Sequence, residues 1–517
     1  MSRELEIRFA LPPKGSLTPR RVNRIGGVAC KSRKSLQPTS IYYDTSDLRL
    51  AKDGLALRVR EQSGKFTQTL KDTSQHALLS DRAEIEGPLP SACPSIEAIT
   101  DVRFRKRIAK LLKGRTLLPL LCTKMKREEA LFLLPRRARL TLALDTGSIQ
   151  ALRGKRLIIP VSEAELELSR GSTADLLRAA LDFSRKRALR LLPESKAERG
   201  LLALKGLPFP TRKAGIAHIG RNCTVEEAFS ATLLHCLRHL MANISAAGTD
   251  ASPDSVHQLR VCLRRLRAAI AAFGPHYRTP AMMRIAAQAK HFSRIFSEAR
   301  DIDVFLIDLS GPDLGALTAP GMALLRNSLS HLRSEAGKEV VRTVSSQAFT
   351  GFLLSLALCI ETKPWHGSDG KELRKIYSLP AQRFAREALS LRYKKIRKRA
   401  RHLDSMTIEE RHAFRIALKK LRYVAEFFAP LFPGKKAGAF FAALSKLQDA
   451  LGVLNDAANA GGLLRKAAVA AGEISGPELM QASIFVEGWY RNLAAPSWGK
   501  AQKLWRRFEK QDPFWER

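Results

Sequence analysis

The sequence predicts an α+β protein in which a strand-rich N-terminal domain is followed by an all-α C-terminal domain. Short segments with alternating polar and apolar residues fill the first 200 positions, whereas helical periodicity runs from about 224 to 510. Between them, KGLPFPTRKAGIAHIG is rich in Pro and Gly and is typical of a linker. An internal repeat in the helical half predicts two related bundles. We therefore predict domains at 1–203 and 224–510, with a linker at 204–223.

The predicted elements of the first domain are short and separated by Gly, Pro, Ser and Asp. The strand segments are ELEIRF, TSIYYDT, LALRVRE, KFTQTLK, RAEIEG, RLTLALDT and SEAELELS. The helical segments among them are SIEAITDVRFRKRIAKLLKG and TADLLRAALDFSRKRAL. In the second domain the apolar run GFLLSLALCI has about ten residues, too few for a membrane span, and we expect it in a buried helix.

Charge is the most unusual property of the chain. The 517 residues contain 88 Lys plus Arg and 49 Asp plus Glu, which gives a formal net charge of +39. Such an excess repels itself in the folded state and indicates a polyanionic partner. Nucleic acid, an anionic membrane and a phosphate polymer all remain open on charge alone, as does a basic surface that serves only solubility.

The start of the chain and its cysteines predict a cytoplasmic protein. MSRELEIRFALPPKG has charged residues where a signal peptide has an apolar core. The seven cysteines are scattered and lack C-x-x-C spacing. That pattern favours reduced thiols over a disulfide framework or a zinc site.

Several predicted strands place cations and carboxylates on one face, because residues two apart in a strand point the same way. If the alternate apolar residues pack outward, these charges line an interior. Carboxylates there could hold Mg²⁺ or Mn²⁺, and the cations could hold phosphate oxygens. A solvated polar face of an ordinary sheet is the alternative. The sets are Glu4, Glu6 and Arg8; Arg58 and Arg60; Arg82, Glu84 and Glu86; and Glu163, Glu165 and Glu167.

The helical half contains two copies of a basic stripe, 155 residues apart. His257, Arg260, Arg264, Arg265 and Arg267 recur as His412, Arg415, Lys419, Lys420 and Arg422. SEARD at 297–301 and GVLND at 452–456 keep the same offset. Offsets of three, seven and ten residues place four members of each copy on one helix face, where a polyanion would relieve the repulsion between like charges. They are His257, Arg260, Arg264 and Arg267, and in the second copy His412, Arg415, Lys419 and Arg422. We predict bundles at about 224–362 and 373–510, joined through KPWHGSDGKE; a solvated basic face remains the alternative.

The motifs of the first domain resemble those of the CYTH domain, the triphosphate tunnel fold. They are ELEIR, YYDT followed by LRLAKDGLALRVR, then TLK, RAE, LALD, EAELEL and SKAERG, in family order over about 1–203. The resemblance implies a closed antiparallel tunnel of eight strands. It also implies metal-dependent hydrolysis of a triphosphate, with Mg²⁺ or Mn²⁺ as the cofactor.

The same resemblance implies roles for individual residues. Glu4, Glu6, Asp145, Glu165 and Glu167 fall on metal-binding positions. Arg58, Arg60, Lys71, Arg127, Arg190 and Lys196 fall on phosphate-binding positions, and Arg82 and Glu84 on lining positions. Glu4, Glu6, Arg8, Lys71 and Glu84 form the implied catalytic set. Arg8 stands where the family usually has Lys, and the planar guanidinium is not equivalent to an ammonium.

The motifs of the second domain resemble those of the CHAD domain. They are VHQLRVCLRRLR, ARDIDV, RHAFRIALKKLRY and LQDALGVLND. The resemblance implies two four-helix bundles and a basic channel that binds inorganic polyphosphate. The matching positions are the ten residues of the two stripes, His257 to Arg267 and His412 to Arg422, as given above.

These features predict an inorganic triphosphatase of the cytoplasm, associated with polyphosphate granules, whose helical domain binds the polymer. A non-catalytic polyphosphate scaffold stays open, as do adenylate cyclase and hydrolysis of nucleotide or thiamine triphosphate. Aromatic residues make up 7% of the chain and no nucleic-acid motif is recognised, so we expect no specific nucleic acid partner. We also expect no membrane partner, and the sequence leaves the oligomeric state open.

Overall fold

The computed structural model describes most of the chain as two compact units. The described residues are 2–11, 22–72, 80–154, 156–185, 187, 189–315, 320–368, 371–432, 434, 436–472 and 476–516, without the side chains of 2–4, 80–83, 275, 312, 315, 367–368 and 371–372. Unit 1 contains Met1–Arg212, Leu237–Asp250 and Val341–Thr362. Unit 2 contains Lys213–Cys236, Ala251–Val340 and Lys363–Arg517.

Unit 1 is built on an antiparallel sheet. Its strands are β1 (Ser2–Ala10), β2 (Arg24–Ile25), β3 (Val28–Leu36), β4 (Thr39–Asp44), β5 (Leu55–Gln62), β6 (Lys65–Asp72), β7 (Ser80–Leu89), β8 (Leu118–Leu134), β9 (Ala138–Ala151), β10 (Ile158–Arg170) and β11 (Arg190–Leu191). Eight of them pair in the order β8-β4-β5-β6-β7-β1-β10-β9, and β9 pairs with β8 again. The sheet is therefore a closed ring of eight strands, which confirms the predicted tunnel.

The apolar faces of the ring point outward against helices. The helices of the chain are α1 (Arg49–Lys52), α2 (Val102–Leu112), α3 (Thr173–Ser184), α4 (Lys196–Leu204), α5 (Val225–Met241), α6 (Ile244–Thr249), α7 (Pro253–Phe273), α8 (Pro280–Leu309), α9 (Pro312–Gly315), α10 (Pro320–Val344), α11 (Gln347–Thr362), α12 (Lys371–Ser378), α13 (Ala381–Ala400), α14 (Ile408–Phe428), α15 (Lys436–Ala471) and α16 (Pro477–Glu509). Leu57 of β5 packs in one cluster with Ile108 of α2. Phe9 of β1 meets Phe183 of α3 with ring centroids 5.6 Å apart. The charged alternate residues consequently face the interior, as alternation predicted.

The longest strand is one that sequence reasoning missed. β8 has 17 residues with the sequence LPLLCTKMKREEALFLL. Lys, Glu, Ala and Leu are good helix formers, so local propensity does not favour a strand there. β8 nevertheless pairs along its length with β9, and on its other side with β4 and then β3. Pairing on both edges overrides the local preference.

Unit 1 also includes a helix from the second half of the sequence. α11 packs against α3, and the Thr350 hydroxyl donates a hydrogen bond to the carbonyl of Leu189. Phe352 and Leu354 of α11 are fully buried. The prediction that this apolar run forms a buried helix is confirmed. In the described part of the chain no single helix is apolar enough to cross a membrane; α10 and α11 reach that length and composition only together, across a 51° bend.

The internal repeat of the sequence recurs in the helix boundaries of the second half. α7 and α14 both have 21 residues, and their first residues, Pro253 and Ile408, are 155 positions apart. α8 and α15 begin at Pro280 and Lys436, an offset that differs by one residue. The helices that carry the two basic stripes are therefore equivalent members of the repeat.

Candidate functional site

The ring of unit 1 encloses a charged cavity of about 510 Å³. Its charged lining residues are Glu6, Arg8, Lys34, Arg58, Arg60, Lys71, Glu84, Glu86, Arg127, Glu129, Asp145, Glu165, Glu167 and Lys196. The cavity therefore brings together every residue that the family resemblance implied for the tunnel except three, and Glu163 of the charged strand faces is not in its lining. The side chains of Glu4 and Arg82 lie outside the described residues, and the third is Arg190.

Arg190 lies in β11 and is not in the cavity lining. Its guanidinium donates a hydrogen bond to the Ser245 hydroxyl at 3.4 Å. The Ser245 hydroxyl in turn donates to Glu194 at 2.5 Å. Within unit 1 this arginine therefore ties the tunnel sequence to segment 237–250.

Arg127 and Lys196 hold the carboxylates of β9 and β10. The Arg127 guanidinium makes two hydrogen bonds of 2.7 Å to Asp145 and contacts Glu165. Lys196 lies 2.8 Å from Asp145 and 2.9 Å from Glu165, and it also contacts Glu163. Burial opposes ionisation of Glu165, but the charges of Lys196 and Arg127 outweigh it and hold its pKa well below the ordinary value. These groups therefore remain charged in the cavity.

A first group of carboxylates has oxygens close enough to share a cation. One oxygen each of Glu6, Glu165 and Glu167 lies within 4.8 Å of the others. Burial and then the negative charge of Glu165 raise the pKa of Glu167 to about 7. Positive charge on Arg127, whose Nη1 is 3.4 Å from Glu167, does not offset this repulsion. Repulsion between these carboxylates would be relieved by a shared cation, and their hard oxygen ligands suit a divalent ion such as Mg²⁺ or Mn²⁺.

A second group is already neutralised by protein cations. Asp145, Glu163 and Glu165 also have oxygens within 4.8 Å of one another. Lys196 contacts all three, and Arg199 contacts Glu163. Burial opposes the charge of Lys196, but these carboxylates outweigh it and raise its pKa. Because the positive charge is supplied from within the chain, this group is a weaker candidate for a metal than the first.

The wall across the ring is basic. β5 carries Arg58 and Arg60, and it is four strands from β10 in either direction around the ring. Among the described residues the Nε atoms of both arginines are buried and have no hydrogen-bond partner. The charge of Arg58 and then burial lower the pKa of Arg60 to about 10. Glu84 accepts from Arg58 at 3.4 Å and from Lys71 at 3.0 Å. The two arginines thus have buried donors available to an anionic ligand.

Arg8 is held in place by a backbone carbonyl. Its Nη2 donates to the oxygen of Pro193 at 2.8 Å, and its Nε lies 3.7 Å from Glu6. Burial lowers the pKa of Arg8, but the charges of Glu6 and Glu165 outweigh it and raise it. A lysine has one nitrogen in place of the fork, so it could not make the two contacts from separate nitrogens.

Sequence reasoning did not name three charged residues of this region, which are Glu129, Lys34 and Arg199, and it placed Glu163 only on a charged strand face. Spacing could have found two of the three: Glu129 is two residues from Arg127, and Arg199 is three residues from Lys196 on α4. Lys34 lies on β3, a strand not included in the prediction, and is 2.8 Å from Glu129.

Unit 2 contains a second charged cavity, of about 700 Å³, between α7, α8, α14 and α15. The sequence-predicted residues that line it are His257, Arg260, Arg264, Arg265, Arg415, Lys419 and Arg422. Lys213, Arg300, Asp301 and Asp456 are lining residues outside the predicted set. The structure does not bring Arg267, His412 or Lys420 into this cavity, and all three are exposed.

Polar partners orient the equivalent arginines of the two stripes. Arg260 donates to the Ser297 hydroxyl at 3.1 Å and lies 3.5 Å from Asp301. Arg415 donates to the amide oxygen of Asn455 at 2.7 Å. Each partner lies in the motif 297–301 or its repeat at 452–456. These motifs therefore position the cations, a role that the sequence left open.

A carboxylate neutralises one end of this cavity. Glu426 lies 2.6 Å from Arg265 and 2.9 Å from Arg422. Its equivalent in the first repeat, 155 positions earlier, is Ala271. The carboxylate that holds Arg265 and Arg422 therefore has no equivalent in the first repeat.

Elsewhere in the cavity like charges crowd together. Burial and then the charges of Arg415 and Arg264 lower the pKa of Lys419 to about 7. Burial and the charge of Arg264 lower the pKa of Arg260 to about 10. Burial and the charge of Arg300 lower the pKa of His257. Burial and neighbouring like charges thus make the positive charges of these three residues unfavourable, and a bound anion would offset this.

Comparison with known proteins finds a family match for each half of the chain. The family model described as "CYTH domain" matches residues 2–201, and the model "CHAD domain" matches residues 231–465. The chain is 28% identical over 205 residues to an "Inorganic triphosphatase" of Haemophilus influenzae; this covers 39% of the chain and 55% of the relative. The chain therefore spans about half the length of that relative.

A solved structure resembles the helical half. It is the "CHAD domain from the plant Ricinus communis", which is 25% identical with a TM-score of 0.50 and covers 59% of this chain and 98% of that one. At the level of the family, the first domain and its relative support triphosphate hydrolysis. The chain thus matches the CYTH family model over residues 2–201, followed by the CHAD family model over residues 231–465.

Proposed function

We propose that unit 1 hydrolyses inorganic triphosphate and short polyphosphate in a metal-dependent reaction. The observation that carries this proposal is the pairing of opposite walls in one closed ring. Arg58 and Arg60 present buried Nε donors without acceptors, and the carboxylates of Glu6, Glu165 and Glu167 lie on strands across the cavity. A ligand that satisfies both walls carries anionic oxygens for the arginines and a cation for the carboxylates. A triphosphate with a divalent ion has both.

The residues of the tunnel have different roles in phosphoryl transfer. Arg58 and Arg60 bind phosphate oxygens and spread their negative charge, which otherwise repels an attacking water. Glu6, Glu165 and Glu167 would hold a divalent cation, which would supply further charge neutralisation at the phosphate oxygens. Carboxylate oxygens of the same wall accept hydrogen bonds from water and so orient it. Arg127 and Lys196 keep Glu165 ionised for both tasks.

Substitution of Glu6 tests this proposal. We expect Glu6→Gln to lower the rate of phosphate release from tripolyphosphate by at least about 100-fold, because it removes a ligand charge at nearly constant shape. Glu97→Gln is the matched control, since Glu97 is exposed and bonds only Ser95 among the described contacts. Phosphate release should require added Mg²⁺ or Mn²⁺. Full activity of the Glu6 variant with an unchanged thermal midpoint would refute the site.

The same assay separates the remaining activities. Tripolyphosphate, ATP and thiamine triphosphate are offered to the purified full chain at equal concentration. The tunnel lining contains donors for phosphate, so we propose that tripolyphosphate is the preferred substrate. Faster turnover of ATP or thiamine triphosphate would assign a nucleotide or thiamine substrate instead. No turnover of any of them, with polyphosphate binding retained, would leave a scaffold function.

We also propose that the cavity of unit 2 binds inorganic polyphosphate without a metal. The supporting observation is the crowding that lowers the pKa values of Lys419, Arg260 and His257. Among the described residues the buried Nδ1 of His257 and Nε of Arg415 lack hydrogen-bond partners, so both atoms are available to a ligand. Binding of long-chain polyphosphate in the presence of EDTA tests this. The affinity should fall steeply with salt, because counterions released from the polymer favour association.

A further inference from the structure

Unit 2 contains two neighbouring basic cavities. The first is the cavity of about 700 Å³ described above, and the second lies beside it. It measures about 540 Å³, and its charged lining is formed by Arg264, Arg267, Lys290, Arg294, Glu298, Asp301 and Lys466. Arg264 and Asp301 line both cavities. The two are therefore consecutive parts of one groove.

The charges of the second cavity favour an anion. Five of its lining residues are cations and two are carboxylates. Lys466 holds Glu298 at 2.5 Å, and Asp301 lies 3.5 Å from Arg260 of the first cavity. Lys290 and Arg294 are exposed, and no ion pair to either is present among the described contacts. The net positive charge is thus carried mainly by Arg264, Arg267, Lys290 and Arg294.

Cations that repel one another form a continuous series from the first cavity to the second. The charges of Arg260 and Arg264 act on His257, and those of Arg264 and Arg294 act on Arg267. His257 and Arg267 are ten residues apart on α7, which corresponds to about 15 Å along the helix axis. Cations therefore follow one another from the first cavity into the second, and a linear polyanion lying along them would relieve each repulsion in turn.

The extension exists on one side of the repeat only. At the offset of 155 residues, Lys290 and Arg294 correspond to Ser445 and Asp449. Asp449 lines the first cavity, and Glu426 lies 2.9 Å from Arg422, the equivalent of Arg267. In the described part of the second repeat, carboxylates therefore accompany the equivalent positions, which do not repeat the basic lining of the second cavity.

We propose that this second cavity is a subsite for the continuation of a phosphate polymer, so that unit 2 selects long chains over short ones. The inference rests on the proposed binding of polyphosphate by the first cavity. The ligand is a linear inorganic polyphosphate whose end or middle occupies the first cavity. Its next phosphates contact Arg267, Lys290 and Arg294. A chain short enough to fit the first cavity makes none of these contacts.

The test compares two double variants of the full chain. Lys290→Gln with Arg294→Gln removes one Lys and one Arg from the second cavity. Lys398→Gln with Arg399→Gln removes the same charges from an exposed stretch of α13. Binding of a length series from tripolyphosphate to long-chain polyphosphate is measured in EDTA, so that a metal-dependent ligand in the tunnel does not contribute. All four positions are exposed, and thermal unfolding checks that both variants fold.

We expect the first variant to bind long chains about five- to tenfold more weakly than the control, with unchanged affinity for the shortest chain that binds. Equal losses in the two variants would overturn the subsite in favour of a diffuse basic surface. A loss that is the same for all chain lengths would also overturn it. If the unsubstituted protein binds no polyphosphate in EDTA, the proposed function of unit 2 fails first. Tighter binding of single-stranded nucleic acid than of polyphosphate would assign a different polymer.

Discussion

The two cavities arrange their charged residues in opposite ways. In the tunnel of unit 1, cations and carboxylates are paired before a ligand arrives: Lys196 contacts Asp145, Glu163 and Glu165. In the cavity of unit 2, like charges face one another, and Lys419 has a pKa of about 7 because of burial and its basic neighbours. The charges of the tunnel stabilise one another without a ligand, whereas the cations of the unit 2 cavity repel one another, and a bound polyanion would reduce this repulsion.

This difference predicts different dependences on metal, salt and pH. Paired charges in a closed ring are screened little by salt, and the carboxylates of Glu6, Glu165 and Glu167 should make phosphate binding there depend on a divalent cation. Unpaired cations attract a polyanion directly, and this attraction is screened by salt. The comparison therefore separates the site proposed for catalysis from the site proposed for polymer binding.

The largest effect should come from replacing the lysine of the paired site. Lys196→Met leaves three buried carboxylates without that cation, and removal of one partner from a buried network costs about 3–5 kcal/mol of unfolding free energy. Urea unfolding at neutral pH measures this loss. Added Mg²⁺ should restore more stability to the variant than to the unsubstituted protein. A loss below about 1 kcal/mol would mean that the network does not behave as a buried one.

The next effect concerns the pH dependence of polyphosphate binding. As the pH rises from 6 to 8, Lys419 loses its proton in the free protein, so binding should weaken by about three- to tenfold and be accompanied by proton uptake. His257 adds charge only further down in pH, because its pKa is lowered. Lys419→Arg should flatten the profile near pH 7, since arginine stays protonated. An unchanged profile in that variant would assign the pH dependence to another group.

A smaller effect, of opposite sign to that of Lys196→Met, should follow the same substitution in the crowded site. The pKa of Lys419 is lowered on folding, so its charge opposes folding below about pH 7 and ceases to matter above the unfolded pKa. Lys419→Met should therefore raise the unfolding free energy by on the order of 1 kcal/mol at pH 6 and by less at pH 9. Because methionine keeps most of the apolar stem, destabilisation at pH 6 would contradict the expectation that the charge of Lys419 opposes folding.

The smallest effect should come from Arg8→Lys. Lysine keeps the charge but loses the fork that reaches both Pro193 and Glu6. We expect a change of a few-fold in the rate of tripolyphosphate hydrolysis or in the preferred chain length, with the fold intact. Steady-state rates across a series of short polyphosphates measure it. An identical profile would mean that the position accepts either cation.

The sequence predicted what depends on periodicity. Alternation placed Arg58 and Arg60 inside the ring, with Leu57 outside. The offset of 155 residues anticipated the equivalent positions of α7 and α14. Both patterns are local, and a local pattern fixes which face a side chain occupies.

What the sequence could not predict depends on contacts between distant segments. β8 is a strand because three other strands pair with it, although its composition favours a helix. Arg190 follows the tunnel motifs in order, yet it bonds Ser245 from a segment 55 residues later. Arg267 belongs to the stripe by spacing, but its place on α7 puts it in the second cavity. No property of the neighbouring residues indicates these outcomes.

The interleaving of the two units has a practical consequence for dissecting the protein. The chain passes from one unit to the other five times, at 212, 236, 250, 340 and 362. A single protease cut in the segment 205–220 therefore yields two pieces that remain associated within unit 1, because α11 stays packed on α3. Recombinant fragments divided there would carry α11 without α3 and expose Phe352 and its apolar neighbours to solvent. A chimeric protein that contains the tunnel of this chain must therefore also contain residues 237–250 and 341–362.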